Sequence, residues 1–427
     1  MTRRVAGAIV VATALVATAC SSTTSATTTT KQAGIPRSAF SDHTGVTATS
    51  ISIGNVSTLT FGLFKGALVG TEAYAKYVNS TGGIDGRKLV VNGYDDHFSG
   101  AGNKQATQQA INSDFALVGS FSLDDSYGGA LLAQNPGVPD VSVAIDPKTA
   151  ALPNVVSAVP VSPGWELGPL EFFKQHYPTG VKAVGALIAN QPSAESQWAG
   201  EKAAMEHLGY HITYDQTFDI TQSSFDQNVI AMKQAGVKML FIEQMPYNYA
   251  AAVIKAMQNQ NFHPALVLGA STYSSALIPD VVKQTGSTKA IDGAYLDQNT
   301  SLYLGEDASV IPADATFLHW VQVASPGFKP DLFTLYGWLS AELFTEALRH
   351  AGSDPSRGSL LAALQKITSF DGGHLVAPGD PAAKTLSNCY LLGRVVNGTF
   401  QRYQDPPVSG PTHGYRCNYS YYRLPGA

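Results

Sequence analysis

Residues 50–56 read SISIGNV, and residues 88–94 read KLVVNGY before closing on Asp95-Asp96. The first run alternates apolar and small residues, the pattern of a strand, and the second is a strand ending on two carboxylates. Between them Phe64, Ala67, Leu68, Thr71, Tyr74, Ala75 and Val78 recur at helical spacing. Asn79-Ser80-Thr81-Gly82-Gly83 then supplies the glycine that ends a helix. Strand, one-faced helix and strand in succession define a parallel-sheet unit covered by helices.

The same rhythm continues outward. A helix over 101–112 precedes a buried strand at Phe115 to Gly119, and a helix over 125–135 precedes a strand at Pro139 to Ala144. After Pro160 the alternation restarts. Helices over 164–176, 194–208, 224–235 and 247–260 precede strands at 183–189, 213–218, 239–243 and 265–269, and a short helix follows near 275–284. A strand near 293–296 leads to long helices over 331–351 and 357–366. In the first of these, Leu332, Leu335, Tyr336, Leu339, Leu343 and Ala347 form one apolar stripe. Two strand-like runs, Cys389 to Val396 and Thr399 to Tyr403, are joined by Asn397-Gly398, a strong hairpin signal. The expected fold class is α/β, with two Rossmann-like lobes built on parallel sheets. Roughly 380 folded residues exceed what one core spans.

The N-terminus has another character. Arg3 and Arg4 precede an apolar run from Val5 to Val16, and Ala17-Thr18-Ala19 lead into Cys20. Charge, apolar core and small-residue exit describe a secretory signal. The run falls short of the roughly 20 residues that a spanning helix needs. The small residues before Cys20 resemble the lipobox of bacterial lipoproteins, with Ala17 where that motif usually has Leu. Cys20 is therefore the expected lipidation site. The following Ser, Thr, Ala and Gly residues cannot bury enough surface to offset their ordering entropy, so 20–45 is expected to be a flexible tether.

Removing Arg3 and Arg4 leaves 25 basic residues against 32 acidic ones, and no basic run occurs in the folded part. Nucleic acid and anionic lipid are thus poor candidate partners. With Cys20 lipidated, Cys389 and Cys417 remain. In an oxidising compartment they can pair, contributing about 3 kcal/mol by loop closure, or they are two buried free thiols.

Catalytic motifs are sparse. The sequence has no GxSxG, HExxH, GxGxxG after a strand, or GxxxxGK[ST]. Asp95-Asp96-His97 reads as a solvated loop rather than a metal cluster, and Asp125 reads as a helix cap. No metal site, cofactor or catalytic residue is expected, and an exported enzyme using Asp124 and Asp146 is the weakest option. In open α/β sheets ligands bind beyond the carboxyl ends of strands. The loops in question are Thr58 to Phe61, Ser120 to Asp125, Ala144 to Pro147, Asn190 to Ser193, Met245 to Tyr249 and Ala270 to Tyr273. They carry the hydroxyls and aromatics expected of an inter-lobe site.

The run Gly82-Gly83-Ile84-Asp85-Gly86-Arg87-Lys88-Leu89, followed by Asp95-Asp96, resembles the GGI-x-GRK-x…DD segment of the branched-chain amino-acid type periplasmic binding proteins. These type I proteins are the solute receptors of ABC importers. Leu117-Val118-Gly119-Ser120 with Gly137-Val138-Pro139, Tyr336 to Gly352 with Asp354-Pro355, and the terminal hairpin are similar to further blocks of that family. The similarity spans about 46–405. The resemblance implies three crossovers between the lobes, closure on a ligand, and delivery to a membrane permease. A sensor handing its signal to a partner protein is the alternative. It also implies a set of ligand-binding residues: Thr60, Phe61, Phe121, Ser122, Ala144 and Ile145 in one lobe, and Gln191, Tyr247, Ser271 and Tyr273 in the other. Ser122 takes the place of the hydroxyl that meets a ligand carboxylate. No acid stands where relatives hold an ammonium group, so a small apolar or aromatic acid, amide or amino acid is the expected ligand. The expected organisation is signal peptide 1–19, lipidated tether 20–45, lobe one from 46–161 with 293–370, and lobe two from 162–292 with 371–427.

Overall fold

The computed structural model describes residues 34–62, 64–160, 164–385, 387–405 and 413–424. The signal segment and Cys20 lie outside the described residues.

Five parallel strands form a first sheet: β1 (Ser50–Ser57), β2 (Lys88–Asp95), β3 (Ala116–Val118), β4 (Asp140–Val141) and β5 (Val155–Val156), in the order β2-β1-β3-β4-β5. A short strand, β6 (Gly164–Glu166), stands where the sequence pattern suggested the start of a helix, and the helix itself is Leu167–His176. The second sheet holds β7 (Val184–Ala189), β8 (Ile212–Phe218), β9 (Met239–Phe241), β10 (Ala265–Leu268), β11 (Tyr295–Gln298), β12 (Leu391–Val396) and β13 (Thr399–Arg402). Its order is β13-β12-β11-β10-β9-β7-β8, parallel from β8 through β11 and antiparallel at β12 and β13. The last strand, β14 (Tyr421–Arg423), pairs with β6.

Strand β11, expected with the first lobe, hydrogen-bonds in the second sheet between β10 and β12. Residues 34–45, expected to belong to the tether, are packed structure: Ala39 is buried in a 3-10 turn and Asp42 pairs with Arg357 at 3.0 Å. Helix Pro312–Ala324 carried no clear sequence signal and is also present. The hairpin forms as expected, with Asn397 at φ 51° and Gly398 at φ 73° supplying the two left-handed positions of its turn. Cys389 and Cys417 are joined in a disulfide.

The chain passes between the sheets three times: after β5, after β11, and before β12. The second passage leads into helix Leu332–His350, which packs on Lys65–Ser80 of the first lobe. Its start is fixed by a capping box, with Thr334 N–H donating to Asp331 at 2.8 Å. The two helices touch backbone to backbone. A methyl group on Gly70 would sit 1.9 Å from the Thr334 carbonyl oxygen, and one on Gly337 would sit 2.1 Å from that of Ala67. Overpacking of this kind costs about 1–3 kcal/mol or more. Gly337→Ala is expected to lower unfolding free energy in urea by at least that amount; an unchanged midpoint would contradict the close contact.

Candidate functional site

Each sheet has one point where strand order reverses, between β1 and β3 in the first and between β7 and β9 in the second. The loops leaving these strands border one cavity of about 320 Å³, within the size range of small-molecule sites. The first lobe contributes Phe64, Phe121, Leu123, Val143 and Ile145. The second contributes Gln191, Gln244, Met245, Ser271 and Asp297, and the crossovers add Trp165, Glu166, Phe333 and Tyr336.

One side of the cavity is aromatic. Phe64 and Phe121 meet edge to face at 4.9 Å, Phe64 and Phe333 at 4.6 Å, and Phe121 and Phe333 at 4.7 Å. Tyr336 lies 6.2 Å from Phe121. Such pairs add about 0.5–1.5 kcal/mol beyond area burial and hold the rings in fixed orientations.

The cavity also carries acids. Glu166, Glu243 and Asp297 border it, and Glu201 is buried. Burial pushes Glu166 up to about 8 and Glu201 up to about 7. Burial, then the charges of Glu201 and Asp297, holds Glu243 well above the carboxylate range. Asp297 is raised by burial and by Glu166 and Glu201. Gln244 Nε2 donates to Glu201 at 3.2 Å, and the Glu201 and Glu243 carboxyls hydrogen-bond to each other. Gly269 makes room for this arrangement: a methyl group there would meet Glu243 Cβ at 2.7 Å. Groups this close titrate together rather than one by one.

Of the ten ligand-binding residues expected from sequence, Phe121, Ile145, Gln191 and Ser271 border the cavity. Phe61 lies in the short turn Thr60–Gly62, and its side chain is outside the described residues. The other five do not border it. Thr60 donates to Asp95 at 2.6 Å, and Ser122 donates to the buried Asp96. The Asp95-Asp96 pair thus binds the loops after β1 and β3 inward: Asp95 also accepts the Leu59 and Thr60 N–H groups, and Asp96 accepts the Thr58 hydroxyl at 3.1 Å. Although burial opposes it, these bonds hold Asp95 down near about 2. Ala144 faces a smaller void of about 30 Å³ beneath the β3 loop. Tyr273 is core, its hydroxyl accepting from Leu304 N–H at 2.8 Å, and Tyr247 is half-buried at the start of the helix Tyr247–Asn259. Even Ser271, though at the cavity, has its hydroxyl donating to the Glu243 and Met245 carbonyls. Asp125 is not a cap; it accepts the Ile145 and Asp146 N–H groups at 2.7 and 3.0 Å, and Asp146 caps the turn Pro147–Ala150.

The expectation that the second lobe presents no acid is corrected by Glu243. It sits just past β9, where the sequence pattern made it the last residue of a strand. An acid ending a buried run, FIE, was the available signal. Glu166 and Asp297 had none: Glu166 lies in β6 on the first passage between the sheets, and Asp297 comes to the cavity through the pairing of β11 with β10.

Two lobes whose switch points face a shared cavity are the arrangement of a solute-binding receptor. The sequence profile described as periplasmic binding protein matches residues 50–399, and the chain belongs to that family, whose members are solute receptors rather than enzymes. No curated protein matches the sequence. Among solved structures the chain is similar to the fatty acid ABC transporter substrate-binding protein from Thermomonospora curvata (15% identity, TM-score 0.66, covering 90% of this chain and 95% of that one). It is also similar to the leucine-binding protein LivK from Thermotoga maritima (15%, 0.65, 83% and 97%). LivJ from Streptococcus pneumoniae, in complex with isoleucine, is similar at 16% and 0.65, covering 82% and 98%. At these identities the likeness establishes the fold. The family places the protein outside the cytoplasm, and no described helix is long and apolar enough to cross a membrane.

The raised carboxyls fix a direction of pH dependence. Between the ordinary glutamate value of 4.5 and about 8, folded Glu166 holds a proton that the unfolded chain releases. That contribution to stability is complete below the window and is lost as pH rises through it. The melting temperature of the ligand-free protein is expected to fall from about pH 5 to about pH 8.5, and Glu166→Gln to flatten the slope. A profile that rises over this range would contradict the burial of these groups.

Proposed function

We propose that this protein is the extracytoplasmic solute-binding component of an ABC importer, carried on the membrane by lipid at Cys20 and handing its ligand to a membrane permease. The two lobes follow the two sheets, with 300–370 returning to the first and the C-terminal hairpin joining the second. The ligand has an apolar or aromatic body and a head that donates hydrogen bonds or carries positive charge: an amine or an amide.

One observation carries this ligand class: the cavity is lined by Phe64, Phe121, Phe333 and Tyr336 together with Glu166, Glu243 and Asp297. No Lys, Arg or His is among the described residues lining it. A ligand carboxylate would meet like charge or protonated acids, with no cation to offset its desolvation. The hydroxyls that would otherwise serve it, on Thr60, Ser122 and Ser271, are given to acceptors within the protein. A free acid is therefore the least favoured of the ligands expected from sequence. The likeness to importer receptors, including ones named for fatty acid and leucine binding, supports the transport role.

A thermal-shift screen tests the ligand class. Phenylethylamine and hexylamine are expected to stabilise the protein, and hexanoate is not. Stabilisation by hexanoate or leucine with no response to any amine would overturn it. Amine affinity, measured by calorimetry, is expected to rise from about pH 6 to about pH 8.5 as the carboxyls ionise, and to fall at least about tenfold in Glu243→Gln. For the anchor, Cys20→Ser is expected to move the exported protein from the membrane fraction to the soluble one. Unchanged sedimentation with membranes would exclude lipidation at that residue.

A further inference from the structure

The family match stops at residue 399, yet the chain goes on to build β14 at Tyr421–Arg423. This strand lies antiparallel on β6, the segment by which the chain first crosses from lobe one to lobe two, pairing Tyr421 with Glu166 and Tyr422 with Trp165. Leu167 N–H donates to the Ser420 carbonyl at 3.0 Å, extending the ladder. Directly opposed residues of an antiparallel pair share a face. Tyr421 and Glu166 both border the cavity, whereas Tyr422 packs against His207, ring centres 5.0 Å apart.

The tail is fastened where it approaches. The disulfide ties Cys417 to Cys389, and Tyr390 and Arg416 exchange backbone hydrogen bonds at 2.9 and 2.7 Å. Tyr419 N–H donates to the Asn388 carbonyl at 3.2 Å, and its ring meets Tyr390 at 5.0 Å. Gly168 leaves room for the strap: a methyl group there would lie 2.5 Å from the Tyr390 ring and 2.7 Å from the Tyr419 ring. Few residues separate the disulfide from β14, so fixing Cys417 also limits where Tyr421 can go.

We infer that residues 413–424 form a disulfide-held strap whose Tyr421 forms one wall of the ligand site, contacting the apolar body of the ligand and covering Glu166. This rests on the cavity being the ligand site, not on the amine reading. The strap makes ligand affinity depend on the oxidised state of Cys389 and Cys417, and it makes Tyr421 a specificity residue beyond the residues matched by the family profile.

The test uses N-phenyl-1-naphthylamine, a neutral apolar dye that brightens in enclosed sites, so the result does not depend on the charge of the natural ligand. The wild-type protein is expected to bind it. Tyr421→Ala is expected to weaken binding about fivefold or more, Tyr421→Phe to retain it, and Tyr422→Ala to change it less than about twofold. The paired variant Cys389→Ser with Cys417→Ser is expected to weaken binding as Tyr421→Ala does, with an unchanged far-ultraviolet circular dichroism spectrum. Equal affinity in Tyr421→Ala and wild type, or an equal loss in Tyr422→Ala, would overturn the inference. A wild-type protein that takes up no dye would overturn the cavity reading and this inference with it.

Discussion

Helices Lys65–Ser80 and Leu332–His350 come from distant parts of the chain and meet backbone to backbone at Gly70 and Gly337. Thr71 donates to the Gly337 carbonyl across 266 positions of sequence, at 3.4 Å. Gly70 and Gly337 permit this approach because neither carries a Cβ. The contact returns the chain to the first lobe after β11 and so makes the second crossover possible. It also sets one side of the binding cavity. Phe64 precedes the first helix, and Phe333 and Tyr336 lie in the opening turns of the second. With the backbones locked together, the three rings and Phe121 have one arrangement open to them.

The protein also holds carboxyls in a place that disfavours their charge. Glu201 is 1% exposed and Glu243 6%. Desolvation acts on both, and their proximity adds to it. An arrangement of this kind is held in place by the surrounding fold and is a common mark of function.

Much of this was legible in the sequence. The βαβ rhythm, the restart after Pro160, the Asn397-Gly398 hairpin and the pairing of Cys389 with Cys417 follow from periodicity, turn chemistry and cysteine count. The site was legible only in part. Phe121, Ile145, Gln191 and Ser271 were found because ligand loops follow strand ends. Thr60 and Ser122 were expected to face the ligand and instead face Asp95 and Asp96, since a buried carboxylate takes the nearest hydroxyls. Glu166, Glu201, Asp297, Phe333 and Tyr336 gave no local signal. Acidic and aromatic residues occur along the whole chain, and only the packing selects which of them meet.

The sequence by itself determined the α/β class, the two lobes and the positions of the loops after strand ends that border the cavity. These depend on interactions between residues near in sequence: strand alternation, helical stripes and glycine turns. The tertiary structure alone decided the character of the cavity, because that depends on residues brought together from far apart. A crossover carries Glu166 to Glu243, the pairing of β11 with β10 brings Asp297 there, a glycine contact carries Phe333 and Tyr336 to Phe121, and a disulfide carries Tyr421 to Glu166. Contacts over such separations have no periodic signature in a chain.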